Sequence, residues 1–313
     1  MTITQLQYVL AVAEHKNFTL AAEKCFVTQP TLSMQIQKIE EELDILLFDR
    51  SKKPIQLTDI GHKIVAQAKN IVNEADRIHD IVEQQKGFIG GEFRLGIIPT
   101  VMPTLLPMFL TNFIKKYPKV KLIIEELNTE EIITKLKNGH LDAAIAATPL
   151  HEDKIKEVVL YFEPFVAYIP ENHQYFEKKE IEISDLNLDE ILLLQDGHCF
   201  RDGILNLCKS AHQKDKNHFQ LESGSFETLQ KLADEGLGIT LLPYLHTLDL
   251  SEKDQRKLKH FSEPKPAREV SLIYPKSELK IQIIDALRST ITGVVKGAIV
   301  FHNVEIVSPI TKK

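Results

Sequence analysis

Between residues 59 and 86 the chain carries Ile60, Ile64, Ala68, Ile71, Ala75, Ile78 and Val82, apolar residues three or four apart, with no glycine or proline after Gly61. Such steps draw one apolar stripe along an α-helix, the seam of a coiled coil. A lone helix of this kind is stable in water only when the stripe is covered. At 1.5 Å per residue it runs about 40 Å, long enough to hold two domains apart. Gly87, Gly90 and Gly91 end it and read as a hinge. The seam therefore predicts a first domain over 1–58, a dimerising helix over 59–87, a larger domain over 88–300, and a tail over 301–313 with no strong periodicity.

What the first domain binds is constrained by charge. The whole chain has 38 basic and 44 acidic residues, a net charge of −6, which excludes a globally basic nucleic-acid coat or a polybasic membrane binder. No apolar run approaches the roughly 18 residues of a membrane span. The start, MTITQLQYVLAVAEHK, lacks a basic region and has a short apolar run, so a cytoplasmic chain without an export signal is expected. Three cysteines cannot build a disulfide scaffold and read as free thiols of a reducing compartment.

Helical patterns fill the first domain: Leu6, Val9, Leu10 and Ala13, then Ala21, Ala22 and Cys25, then Leu32, Ile36, Ile39 and Leu43. The small Ala21 and Ala22 let one helix sit close across another. Thr28 suits an N-cap, with Pro30 in the first turn where its missing N–H costs nothing. The helix that follows offers Gln29, Thr31, Ser33 and Lys38 away from its apolar face. Residues 26–37 hold no acidic side chain, whereas Glu40, Glu41, Glu42 and Asp44 follow. An uncharged polar front end suits entry into the major groove of double-stranded DNA. Arg50, Lys52 and Lys53 form a basic turn between two short extended pieces, as a phosphate-gripping wing requires. Periodicity alone allows equally a small helical bundle with a wet polar face.

Residues 1–90, above all AAEKCFVTQPTLSMQIQKIEEELDILLFDR and LTDIGHKIV, closely resemble the winged helix-turn-helix of LysR-type transcriptional regulators. The resemblance implies that the helix from Thr28 is the recognition helix, that residues near Arg50–Lys53 are the wing, and that 58–87 is the linker helix through which two chains pair.

Beyond residue 88 the pattern alternates. Strand-like runs fall at 93–98, 122–127, 143–147, 158–169, 191–195, 219–222, 239–242 and 270–274. Helix-like runs fall at 104–116, 130–137, 200–211, 226–235 and 279–295. This predicts an α/β fold with largely parallel sheets that could form two lobes crossed twice by the chain. The resemblance implies two lobes like a periplasmic binding protein, lobe I from 88–163 plus 269–300 and lobe II from 164–268.

Cys199 lies in Gln195-Asp-Gly-His-Cys-Phe-Arg-Asp-Gly203, at the start of a predicted helix. Helix-start N–H groups, Arg201 and His198 would favour a thiolate, the form that attacks a peroxide. Cys208 would then resolve the sulfenic acid. Nine helical residues separate the two by about 13.5 Å, whereas a disulfide needs Cα atoms within about 6.8 Å. Oxidation would have to melt the helix, and Gly203 eases that. Two other readings stay open: both cysteines as inert core residues, or a zinc site of His198, Cys199, Cys208 and His212, whose spacing fits no common pattern. Cys25 reads as a small buried apolar residue.

The segment LQDGHCFRD with its second cysteine, LGIIPTVMPTLLP (95–107) and GITLLPYL (238–245) resemble the peroxide-sensing branch of the same regulators, over residues 1 to about 300. The resemblance implies that Thr100, Thr129 and His198 position hydrogen peroxide, that Arg201 and Asp202 hold the loop, and that no metal or other cofactor takes part. His218 is a further neighbour. Gln195 and Phe200 depart from the branch, in place of an acidic and a smaller apolar residue. The implied protein is a transcriptional activator and not an enzyme: a dimer of dimers on a pseudo-palindromic site, switched by hydrogen peroxide through a Cys199–Cys208 disulfide, reset by a thiol reductant and acting on RNA polymerase. A LysR-type sensor of a small metabolite, a thiol peroxidase and a solute-binding component are the rivals.

Overall fold

The computed structural model describes residues 1–85, 89–208, 223–299 and 304–309. The chain divides into two compact units, 1–88 and 89–313.

The first unit opens with α1 (Ile3–His15), whose capping box joins Thr2 and Gln5, and α2 (Phe18–Lys24), capped by the Asn17 side chain. Then follow α3 (Gln29–Leu43), the short antiparallel hairpin β1 (Phe48–Asp49) and β2 (Gln56–Leu57), and α4 (Asp59–Gln85). Val9, Val12, Ala21, Ala22, Leu32, Ile36, Ile39 and Leu47 make its core. The two alanines are almost wholly buried, so α2 lies close on its neighbours. At Gly61 an added Cβ would sit 2.2 Å from the Leu47 carbonyl oxygen, so only glycine lets the hairpin cross the first turn of α4.

The seam divides in an unforeseen way. A stripe with steps of four faces α1: Ile64 joins the core, and Ala68 and Val72 pack on Leu6 and Leu10. A straight helix of 3.6 residues per turn drifts from a strict heptad, so this inner stripe parts from the coiled-coil line. Ile71 and Ile78, one heptad apart, stay 37% and 62% exposed.

The second unit runs β3 (Gly91–Ile97), α5 (Met102–Lys116), β4 (Val120–Glu126), α6 (Thr129–Lys137), β5 (Ala143–Thr148), β6 (Ile155–Tyr168), β7 (Glu180–Ile181), α7 (Cys199–Leu207), α8 (Phe226–Asp234), β8 (Thr240–Pro243), α9 (Tyr244–Thr247), α10 (Glu252–Gln255), β9 (Leu258–Phe261), β10 (Lys265–Pro275), α11 (Ile281–Val295) and β11 (Val304–Ile306). The strand order is β4-β3-β5-β10-β6-β9-β7, with β8 beside β6 and β11 beside β10. Only the β3 pairings with β4 and β5, the β7–β9 pair and the β10–β11 pair are parallel; β10 and β6 run antiparallel to the other neighbours. The sheet is mixed, against the expectation of largely parallel strands, because two long strands return through it.

Two apolar cores result. One joins Phe93, Leu95, Ile97, Phe109, Ile145, Leu272 and Leu287. The other joins Phe165, Tyr168, Ile181, Phe200, Leu229, Leu241 and Phe261. β6 serves both: its first part pairs with β10, and Phe165–Tyr168 pair with β8 and β9. The lobe boundary expected at 268/269 falls inside β10.

Among the described residues the run 191–195, expected as a strand, makes one bridge, Ile191 to Ile239, and the Gln195 N–H donates to the Ser223 carbonyl at 2.9 Å. Ile191, Leu192 and Leu194 are buried there. β7, β9 and β11 were not foreseen, because sequences such as LKHF and VEI carry no clear alternation. Residues 209–222, with His212, His218 and the strand-like 219–222, lie outside the described residues, as does Gly87.

Candidate functional site

In the first unit, α3 presents the expected front end. The Thr28 hydroxyl caps the helix, accepting from the Thr31 N–H at 3.4 Å and lying 2.8 Å from the Thr31 hydroxyl. Pro30 occupies the first turn. Thr28, Gln29 and Pro30 are exposed, and Thr31 and Ser33 half-buried, leaving uncharged polar groups at one surface.

Arg50 differs from its wing neighbours. Its Nη2 pairs with the buried Glu40 carboxylate at 2.8 Å, and its guanidinium lies 5.0 Å from the Phe18 ring centroid. Glu40 also accepts the N–H groups of Leu47 (2.8 Å) and Phe48 (3.3 Å). Arg50 thus fastens the hairpin to α3 and reaches Ser33 Oγ at 3.5 Å. Lys52 and Lys53 are exposed in the turn between β1 and β2.

In the second unit, α7 begins at Cys199, with His198 as its N-cap residue and Cys208 as its C-cap. Both cysteines are free thiols. Cys199, 7% exposed, belongs to the first core, while Cys208, 3% exposed, belongs to the second. The two sulfurs therefore sit in different apolar environments at opposite ends of a nine-residue helix, about 13.5 Å of rise. Phe200 fixes the helix start: its ring lies 5.0 Å from Phe165 and 5.0 Å from Phe226.

A buried charge network backs this helix, and sequence reasoning missed it. The Arg268 guanidinium donates from Nε to Glu163 at 2.9 Å, from Nη1 to the Thr100 hydroxyl at 2.8 Å, and from Nη2 to the Thr100 carbonyl at 3.0 Å. Glu163 accepts the Leu245 N–H at 2.9 Å, and Arg268 lies 5.1 Å over the Phe200 ring. Arg268 and Glu163 are opposed on β10 and β6. A charged residue in each of two apolar strands was the available signal, but their pairing spans 105 positions.

Burial pushes the Cys199 thiol above its ordinary pKa, and the Arg268 charge and Thr129 pull the other way. The expectation of a thiolate favoured by Arg201 and His198 is thus corrected. Arg201 instead pairs with Asp196 at 2.8 Å and donates to the Leu194 carbonyl at 3.1 Å, holding the loop before α7. Asp202, half-buried in the first turn, has its carboxyl raised by burial. Burial lowers the His198 imidazole, with the Glu126 charge opposing it. Cys208 is pushed up to about 11 by burial.

Two polar atoms here are buried without a hydrogen-bond partner: Thr129 Oγ1 and His198 Nδ1. Thr129 stands near enough to influence the thiol, yet their geometry is not that of a formed hydrogen bond. Gly224 leaves room for the imidazole, since a Cβ there would come within 3.1 Å of His198 Nε2. The Thr100 hydroxyl has an acceptor position filled by Arg268, which leaves its own proton to donate. A buried sulfur beside unspent donors and acceptors suits a small polar molecule with two adjacent oxygens. Among the described residues no group of three His, Cys, Asp or Glu could hold a metal ion.

Comparison with known proteins matches both units. Residues 3–62 match the bacterial regulatory helix-turn-helix protein, lysR family, and residues 86–295 the LysR substrate binding domain. A hydrogen peroxide-inducible genes activator from Pectobacterium carotovorum subsp. carotovorum is 34% identical over 297 residues, 94% of this chain and 98% of that protein. A full-length OxyR from Pseudomonas aeruginosa, with a cysteine replaced by aspartate, superposes with a TM-score of 0.74 at 34% identity, covering 93% of this chain and 98% of that one. A hydrogen peroxide-bound cysteine mutant of Corynebacterium glutamicum OxyR superposes with a TM-score of 0.64 at 28% identity, over 95% and 93% of the two chains.

Proposed function

The chain belongs to the LysR family of transcriptional regulators, and from that premise we propose that it is a DNA-binding sensor of hydrogen peroxide with Cys199 as the reactive thiol. The observation that carries the reading is a buried cysteine at a helix start, within the influence of Arg268 and of Thr129, whose Oγ1 is unpartnered, and preceded by His198, whose Nδ1 is unpartnered too. Thr100 donates to one peroxide oxygen, while Thr129 and His198 hold the other, aligning the O–O bond with sulfur. The Cys199 thiol gives up its proton and the thiolate attacks the near oxygen; the O–O bond breaks, and the departing hydroxide takes up the proton the thiol released to become water. Cys199 is then a sulfenic acid.

Cys208 completes the switch. Its sulfur displaces the hydroxyl of the Cys199 sulfenic acid, a second water leaves, and both thiols end oxidised to a disulfide. The bond cannot close across intact α7, so the helix unwinds and the sensor surface repacks. Peroxide is consumed in signalling, and a thiol reductant resets the pair. Arg201 and Asp202 hold the loop from which the switch starts.

The first unit reads double-stranded DNA through Thr28, Gln29, Pro30, Thr31 and Ser33, with Lys52 and Lys53 on phosphates and Arg50 fastening the hairpin. The exposed Ile71 and Ile78 of α4 support pairing with a second chain, and the sensor units pair again to give a dimer of dimers that acts on RNA polymerase in the cytoplasm. No helix among the described residues is long and apolar enough to cross a membrane.

The reading is tested by adding one equivalent of hydrogen peroxide, digesting the alkylated protein and searching by mass spectrometry for a peptide linked through Cys199 and Cys208. The linked peptide and an altered operator footprint are expected; two free thiols after treatment would overturn it. Lys52→Ala with Lys53→Ala is expected to weaken binding to every DNA sequence and to flatten the slope of log K against log salt by about one per lysine. Fluorescence anisotropy over a salt series reads this, and an unchanged slope would remove the turn from the interface.

A further inference from the structure

The last described segment of the chain lies on the helix that must melt. β11 pairs in parallel with the start of β10, Val304 to Lys265 and Ile306 to Ala267. The Val307 N–H then donates to the Ala267 carbonyl at 2.8 Å, directly before Arg268. Val307 turns into the second core, which also holds Cys208, Ile204 and Phe200. One residue on, the Ser308 carbonyl accepts the side-chain amide of Asn206 at 2.9 Å, in the last turn of α7. The other amide atom, Asn206 Oδ1, is buried with no partner, so among the described residues the side chain makes this one bond.

We propose that residues 304–309 form a strap that positions Cys208, with Asn206 and Val307 as its fastenings, holding the resolving thiol in its own core and so slowing the step that follows Cys199 oxidation. Closing the disulfide must draw Cys208 out of that core and along the helix axis, since the separation of about 13.5 Å far exceeds what the bond allows. That movement strips apolar cover from Val307 and carries Asn206 away from the Ser308 carbonyl. Val307 and Asn206 therefore oppose the second step and leave the first untouched, because neither reaches the Cys199 sulfur. The proposal rests on the disulfide reading above.

The test separates the two steps in a chain ending at residue 303 and in full-length Asn206→Leu. In a Cys208→Ser background, the rate of Cys199 sulfenic acid formation with hydrogen peroxide should be the same with and without the strap. With Cys208 present, disulfide formation should be about tenfold faster without it, the scale of one lost buried apolar contact and one hydrogen bond. Circular dichroism of the untreated chains checks that both variants fold, and Asn206→Leu keeps the test standing if the shortened chain does not. Equal rates in the second step, a slower second step, or parallel change in both steps would overturn the strap. Absence of any linked peptide in the unaltered chain would remove the disulfide reading itself, and the strap with it.

Discussion

Cys199→Ser should abolish the peroxide response while leaving a folded regulator that still binds DNA. Serine replaces the sulfur with a hydroxyl of similar size, and the site is a tight one in the first core, so packing changes little. The chemistry changes entirely: a hydroxyl at this position neither forms an anion near neutral pH nor attacks a peroxide. Peroxide-dependent footprinting should show a single pattern at every dose. Cys25→Ser, at the half-buried end of α2, serves as the companion and should respond as the parent chain does. A response retained in the first variant and lost in the second would discard the assignment.

Arg268→Met should be the most damaging substitution outside the thiols. Arg268 and Glu163 are 3% and 1% exposed, and the pair closes at 2.7 Å. Removing one partner of a buried ion pair leaves the other charge stranded, at about 3–5 kcal/mol. For a unit of this size that lowers Tm by roughly 10 °C. Thr100 loses both of its contacts to the guanidinium, and Cys199 loses the cation that opposes its burial. Arg268→Lys keeps the charge without the planar fork, and should restore thiol reactivity more than it restores Tm. Calorimetry together with the second-order rate of thiol oxidation reads both quantities. Wild-type values of each in Arg268→Met would show that the network neither supports the fold nor tunes the sulfur.

Much of the site could be read from local sequence because its parts are local. The start of α7 at Cys199, the cap at Thr28 and the exposed turn of Lys52 and Lys53 each follow from a few neighbouring residues. What could not be read lies across the fold. Arg268 meets Thr100 from 168 positions away, and the Glu40 carboxylate takes Arg50 out of a row of three basic residues that look alike on paper. The electrostatics of Cys199 were misjudged for the same reason. A helix start and a nearby arginine are visible in sequence, whereas the burial that outweighs them is a property of the assembled core. The mixed sheet was likewise hidden, since strand direction depends on where β6 and β10 return, and alternation does not encode that.

The burial that raises the Cys199 thiol has a consequence for what the cell would hear. A sulfur whose proton is held more firmly offers less thiolate at a given pH, so it answers a given dose of peroxide more slowly. A burst multiplies the encounters and is registered. Alkaline drift sharpens this hearing and acid dulls it, because each moves the small reactive fraction directly. The alarm is thus set by a balance between how deeply one atom is wrapped in hydrocarbon and the cation held beside it, a balance that changes in the surrounding side chains would retune without touching the chemistry.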